Sequence, residues 1–381
     1  MTQYRLTVMT PLLVGGGDRL SPIDYMIWKD QVNVLDQQRI FRLLAKGPRL
    51  DPYLTQLRRA DKLDFASWGG FAQNYAGRRI PFEHPSMTPI WNSAPSDQLH
   101  IPTFASGPSG AFLPASALKG ALRTAYVFTR WNAGVIREVA DRAEGERGLR
   151  RPGASAESMA LGSPGHDPMR VISAGDSGAV ANAQLKVYLA RVATLVPKGN
   201  IFEAGWKVAP RGTVGRPEQA TPIFAEMAVP GTQFSGAWRQ DEFLRSAEIA
   251  RQMHWSGRHG QDEIIASANE FAGHLLGEQR KYAEALKLTR ISEALRQLQA
   301  ELETVRAVTG VCLINLGWGG GLLSKAPVPS AADEDFRRIV RTLPFYERAV
   351  KSGLPFPKTR KVLFLGGEPG TMPGWAKLEL A

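Results

Sequence analysis

Two strand-like runs in this 381-residue chain each end in three consecutive glycines. "YRLTVMTPLLVGGG" stops at Gly15, Gly16 and Gly17, and "VTGVCLINLGWGGGLLSK" carries Gly319, Gly320 and Gly321. Glycine reaches backbone angles closed to other residues and lets main-chain N–H groups come close to a partner. Between the two clusters, strand-like and helix-like stretches are interspersed without strict βαβ alternation. That pattern predicts an α+β fold, with helices on one face of a mainly antiparallel sheet. Neither cluster is a Walker A loop, because Lys325 follows Ser324 and precedes Ala326. Neither is G-x-G-x-x-G, because Leu20 and Leu322 stand in the last glycine place. Each cluster alone also reads as an ordinary turn.

The charge balance narrows the partner. Lys and Arg number 47 against 36 Asp and Glu, a formal net charge of +11. That excess points to a polyanion, nucleic acid ahead of a membrane surface. One cysteine, Cys312, sits in the apolar run "VTGVCLINL". It builds neither a disulfide framework nor a cysteine zinc site, and the expected setting is intracellular and cytoplasmic. No signal peptide or membrane span is expected, since no apolar run reaches 18 residues.

Along the chain, "YRLTV" is a strand with Leu6 and Val8 inward, and "DYMIWKDQVNVLD" a hairpin. Residues 36–80 read as mainly helical and 81–111 as irregular loop. A helix should run from the "FLPASALKGALRTAYVF" stretch to about Ala143, with an exposed loop after it. "TPIFAEMAVPGTQFSGAW" is a strand, a Pro-Gly turn and a second strand. From Asp262 to about Val305 a single apolar-periodic helix is expected, weakened at Gly273 and Gly277. Expected units are a core over 1–240 with an insertion at about 31–111, an inserted helical segment over 241–306, and the closing part of the core over 307–381. The inserted helices could expose a face to a partner.

Within "FLPASALKGALRTAYVF", Lys119 and Arg123 lie four apart on one helix face, and Ser116 stands where an N-cap would. The helix dipole disfavours cations there, so an anion is expected in front of that turn. "AGDSGA" matches part of a serine-protease nucleophile loop, but no histidine stands in the required context. Asp176 and Ser177 are expected to end a strand and make local turn bonds. The histidines show no metal-ligand spacing, and no metal or cofactor is expected. Asp18 and Asp24 follow the first glycine turn, and a turn or cap role is expected for both. Arg337, Arg338, Arg341, Arg348, Lys351, Lys358, Arg360 and Lys361, interleaved with Phe336, Phe345, Tyr346 and Phe356, read either as a groove that stacks bases or as a solvated helix face.

These motifs together resemble the RAMP superfamily of CRISPR type III effectors, and within it the fifth subunit of the type III-A (Csm) complex. "TPLLVGGGDRLSPIDYMI" is similar to the first strand, glycine turn and Ser-Pro-x-Asp-Tyr segment. "FLPASALKGALRTA" is similar to the superfamily signature, "LGWGGGLLSK" to its glycine-rich loop, and "FPKTRKVLF" with "PGWAKLEL" to the subunit's closing segment. Residues 31–111 and 241–305 carry no matching motif. The resemblance implies a ferredoxin-like or RRM-like core with helical insertions. It implies a non-catalytic subunit that holds guide RNA (crRNA) by its backbone and caps the filament toward the guide's 3′ end. The implied partners are the crRNA and through it target RNA, the repeating backbone subunit and the small helical subunit. Gly15–Gly17, Ser116, Lys119, Arg123, Gly319–Gly321 and Lys325 would contact RNA. In the backbone sibling an Asp after the first glycine turn cuts target RNA, and Asp24 is the matching position. Two alternatives stay open: a metal-dependent endoribonuclease acting through Asp24, and an enzyme binding a nucleotide or phosphate metabolite.

Overall fold

The computed structural model describes residues 2–59, 62–63, 74–145, 152–255, 259–327, 330, 333–344, 346, 350, 355 and 357–380. Strand Thr2–Val8 turns Tyr4, Leu6 and Val8 to one buried face, the period of two that a half-buried strand needs. It sits in the middle of a five-stranded antiparallel sheet. On one side lies Trp375–Leu380, with Leu6 opposite Leu378, and then the edge strand Val311–Asn315. On the other lies Gln233–Gln240, with Leu6 opposite Phe234, and then Ile172–Ser177. The first and last strands of the chain are thus neighbours.

A second antiparallel sheet is built on the long strand Leu185–Lys198. Its first half pairs with Ile223–Ala228 and its second half with Ile201–Lys207. Thr359–Leu365 runs along its other edge. The expected strand, Pro-Gly turn and second strand of "TPIFAEMAVPGTQFSGAW" are present, as Ile223–Ala228 and Gln233–Gln240 in different sheets. The turn, with Gly231 at φ +87°, passes the chain from the second sheet to the first. A small three-stranded sheet of Tyr25–Ile27, Gln31–Leu35 and Ala76–Pro81 extends from this body. Beside it stand the helices Gln37–Leu44 and Leu50–Arg59.

The helix Ala115–Phe128, which carries the signature residues, lies on the first sheet beside the helix Gln261–Ala285. Tyr126, Leu118 and Leu122 of the former share a core with Ile264, Ala268 and Phe271 of the latter. A second core joins Leu275 and Leu276 to Ile291, Leu295, Leu298 and Leu302 of the helix Thr289–Arg306 and to Trp375. The helical pair is therefore packed into the body rather than standing off it.

Several local expectations are corrected. The break in the long helix falls at Leu286–Leu288, where Lys287 takes φ +55°, and not at the glycines. Gly273 instead admits Arg306, whose guanidinium would lie 2.7 Å from a Cβ at that site. The single helix expected to reach Ala143 is two, with Asn132 accepting from Val135 N at 3.0 Å to start Ala133–Gly145. A helix, Pro152–Leu161, stands in the stretch read as loop, and Met87–Ser93 is another. Ala76–Pro81 is a strand because it completes the small sheet, a long-range pairing invisible in local sequence.

Candidate nucleic-acid interface

The turn after the first strand, the loop after Val311–Asn315 and the signature helix meet at one groove of about 640 Å³. The first wall is the turn after Thr2–Val8. Val14 O accepts from Ala105 N at 2.8 Å, and Asp18 O accepts from Thr103 N at 3.2 Å. Gly17 takes φ +101° to turn the chain between these contacts. The second wall is the loop after Val311–Asn315. Trp318 N donates to Leu13 O at 2.7 Å, and a Cβ on Gly317 would lie 2.2 Å from that same oxygen. Only glycine fits at 317, so the two loops are locked together through backbone.

The signature helix supplies the floor. Its N-terminus is held by the "AGDSGA" strand: Ala115 N donates to Asp176 Oδ1 at 2.7 Å, and Leu113 N to Ser177 Oγ at 2.9 Å. Asp176 and Ser177 therefore end a strand as expected; Ser177 Oγ makes a local bond to Gly178 O at 2.7 Å, and both side chains also reach across the fold. The cap position is Pro114, and Asp176 rather than Ser116 supplies the accepting oxygen. Ser116, Ala117, Gly120, Ala121 and Thr124 turn toward the groove, a strip of small side chains. A Cβ on Gly120 would meet no atom within 4 Å, so this glycine leaves open space over the floor.

Cations rim the groove. Arg19 and Lys325 line it and are exposed, and neither has an ion pair among the described residues. Lys361 Nζ lies 4.9 Å from the ring centre of Trp318, which is itself a lining residue. Burial pushes the Lys361 ammonium below its ordinary pKa, and the Lys325 charge adds to that. Two cations that repel each other across a groove wall are both relieved by an anion placed between them. Asp18 is the one carboxylate in the lining.

Of the residues expected to touch an anion, Gly15, Gly17, Ser116 and Lys325 line the groove. Gly16 lies in the same turn. Gly319, Gly320 and Gly321 lie in the second turn, beside the lining. Two of them are glycine for internal reasons: a Cβ on Gly319 would sit 2.5 Å from Pro373, and one on Gly320 2.3 Å from Ser324 Oγ. Lys119 and Arg123 are the main correction. Lys119 Nζ donates to Ile172 O at 2.8 Å. Arg123 pairs with Glu157 at 2.7 Å and with Asp167. Neither lines the groove: Lys119 ties the helix to the start of the strand Ile172–Ser177, and Arg123 ties it to Glu157 and Asp167. The anion expected in front of the turn is thus partly replaced by carboxylates of the chain itself.

Asp24 lies outside the groove. Its Oδ2 accepts from Ser21 N and Ser21 Oγ, both at 2.7 Å, and its side chain borders a neighbouring pocket. The expected turn role is what this geometry provides. No group of three or more His, Cys, Asp or Glu able to hold a metal occurs among the described residues. In the basic segment, Arg338 is held by Asp335 and by Asp141 and Glu144 of the helix Ala133–Gly145, and Arg341 by Glu334. Arg360 lies over the Tyr282 ring. Phe345, Arg348, Lys351 and Phe356 lie outside the described residues. Sequence reading missed Arg19, Thr103, Gly120, Asn315 and Trp318 as lining residues. Gly120 and Trp318 stood inside the quoted motifs, whereas Thr103 came from a stretch with no signal.

Among the described residues no helix is long and apolar enough to cross a membrane. No protein-family model and no curated protein matches the chain. Solved structures do match. One is a chain of a cryo-EM Csm–crRNA–target RNA ternary complex of a type III-A CRISPR-Cas system, at 21% identity and TM-score 0.65, covering 100% of both chains. Another is the crystal structure of T. onnurineus Csm5, at 19% identity and TM-score 0.63, covering 98% of this chain and 99% of that one. Over its full length, the chain shares the α+β fold of these solved chains.

Proposed function

We propose that the protein is a structural, non-catalytic subunit of a cytoplasmic type III-A CRISPR effector complex, holding crRNA near the guide's 3′ end and capping the backbone filament. The observation that carries this reading is the convergence of three separate motifs on one cation-rimmed groove. The similar chains supply the RNA: one belongs to a Csm–crRNA–target RNA complex. Partners under this reading are the crRNA, through it target RNA, the repeating backbone subunit and the small helical subunit.

The chemistry follows from the lining. Main-chain groups of Gly15 and Gly17 and the Ser116 hydroxyl are placed to meet phosphate oxygens. Arg19, Lys325 and Lys361 supply the charge, and Trp318 an aromatic face. The floor of glycine, alanine, serine and threonine offers little to read a base edge, so guides of any sequence are accepted. Asp24, committed to Ser21, fixes the loop rather than cutting RNA. The test is to purify the tagged protein from its native host and identify what comes with it. Repeat–spacer RNAs with other type III subunits are the expected result. Recovery of the protein without RNA or partners overturns the reading.

A further inference from the structure

The surface beside Asp24 lies outside the groove. The helices Gln37–Leu44 and Leu50–Arg59 and the turn between them carry Arg39, Arg42, Lys46, Arg49, Arg58 and Arg59 against one carboxylate, Asp51. All six cations are exposed, and none is ion-paired among the described residues. Arginines such as Arg123 and Arg338, by contrast, are held by carboxylates. In the midst of these charges is an apolar pocket of about 490 Å³, walled by Ile23, Phe41, Tyr53 and Leu57. Phe41 is 48% exposed, a large aromatic face left open to solvent. The volume falls in the range of small-molecule sites, roughly 300–1,000 Å³, and admits a nucleobase.

This pocket adjoins the groove. Arg19 lines the groove and Ile23 and Asp24 line the pocket, so a single short segment separates them. Five residues of chain span at most about 17 Å. An anionic strand leaving the groove past Arg19 therefore meets a second field of cations, none of them ion-paired among the described residues. A row of phosphates matches that charge, and a base matches the apolar pocket with its open aromatic wall.

We infer that the Gln37–Arg59 helical pair is a second contact for the same single-stranded RNA, with one base stacked on Phe41 and neighbouring phosphates on Arg39 and Arg42. This rests on the proposed RNA reading of the groove and extends it to a part of the chain that carries no recognised motif. Binding energy is then divided between two sites, and the second is felt only by strands long enough to reach it.

The test uses the full-length protein and two single-stranded RNAs of mixed sequence, roughly 6 and roughly 14 nucleotides, which bracket common site sizes. Wild type should bind the longer strand more tightly and with a steeper salt dependence. Phe41→Ala should weaken the longer strand by about tenfold and leave the shorter one unchanged, with Phe41→Trp retaining binding. Arg39→Ala with Arg42→Ala should reduce the salt slope for the longer strand by about 1.4, at 0.7 per phosphate lost. Because Phe41 is exposed, thermal melts of these variants should match wild type. Equal binding of both strands by wild type, or no effect of Phe41→Ala, overturns the inference. So does a polyglutamate peptide that binds at Phe41 while RNA does not, which would make the surface a protein-docking site. Failure of wild type to bind either strand overturns the groove reading and this inference with it.

Discussion

Glu226 is fully buried in the strand Ile223–Ala228, where an unpaired carboxylate would be prohibitive. Arg78 of the small sheet reaches in to pair with it, and Phe104 N donates to its Oε2 at 3.3 Å. This contact ties the Ala76–Pro81 strand to the main body. Arg78→Met should lower stability by about 3 kcal/mol, because it strands a buried charge. Adding Glu226→Leu should recover part of the loss, and chemical denaturation of the two variants checks both. A second residue-scale prediction concerns Glu263. Burial raises its carboxyl pKa, but hydrogen bonds from His259 and Tyr126, each at 3.0 Å, and the Arg130 charge outweigh that and hold it below the ordinary value. A depressed carboxyl stabilises the fold above the unfolded pKa, and the contribution disappears as pH falls through the folded pKa. Glu263→Gln should therefore destabilise at neutral pH. Its melting difference from wild type should shrink as pH drops below about 4.

At the scale of elements, the helix Gln261–Ala285 completes the sheet it lies on. Asn269 donates to Val311 O at 2.9 Å and accepts from Leu313 N at 3.0 Å, so a side chain pairs with a strand's backbone. Asn269→Leu leaves both groups buried and unpaired, and unfolding should become easier by about 2 kcal/mol. The groove's wall makes a prediction about binding. Lys325→Ala with Lys361→Ala should weaken RNA of any sequence and length, and reduce the salt slope by about 1.4. An unchanged slope would remove those two lysines from the site. The sequence made these elements legible to different degrees. Period-two runs such as "YRLTV" and "WAKLEL" announce strands, because burial on one face imposes the alternation. Ala76–Pro81 announces nothing, because its reason to be extended lies in Gln31–Leu35, over forty residues away. The motifs located the groove, but the direction of each side chain was hidden. Lys119 and Arg123 looked free until Ile172, Glu157 and Asp167, distant in sequence, came to meet them.

For the whole molecule, two sheets share one chain so that the two glycine-rich turns and the signature helix converge on the groove. Its walls are fixed by backbone contacts that only glycine at 317 permits, while its floor is kept open by Gly120. Such a groove is preorganised, and binding has little ordering to do. The role of Gly120 separates function from stability, since its Cβ would point into empty space. Leucine there should stabilise the helix by up to about 1 kcal/mol through propensity alone. The same side chain would stand in the path of the guide.

The most direct measurement is therefore the affinity of purified protein for guide RNA in wild type and Gly120→Leu, with thermal melts alongside. The melting temperature should equal or exceed that of wild type, and RNA binding should weaken by at least about tenfold, a loss of about 1.4 kcal/mol. Undiminished RNA binding by a well-folded Gly120→Leu would contradict the groove reading, because the guide could not then lie in this groove.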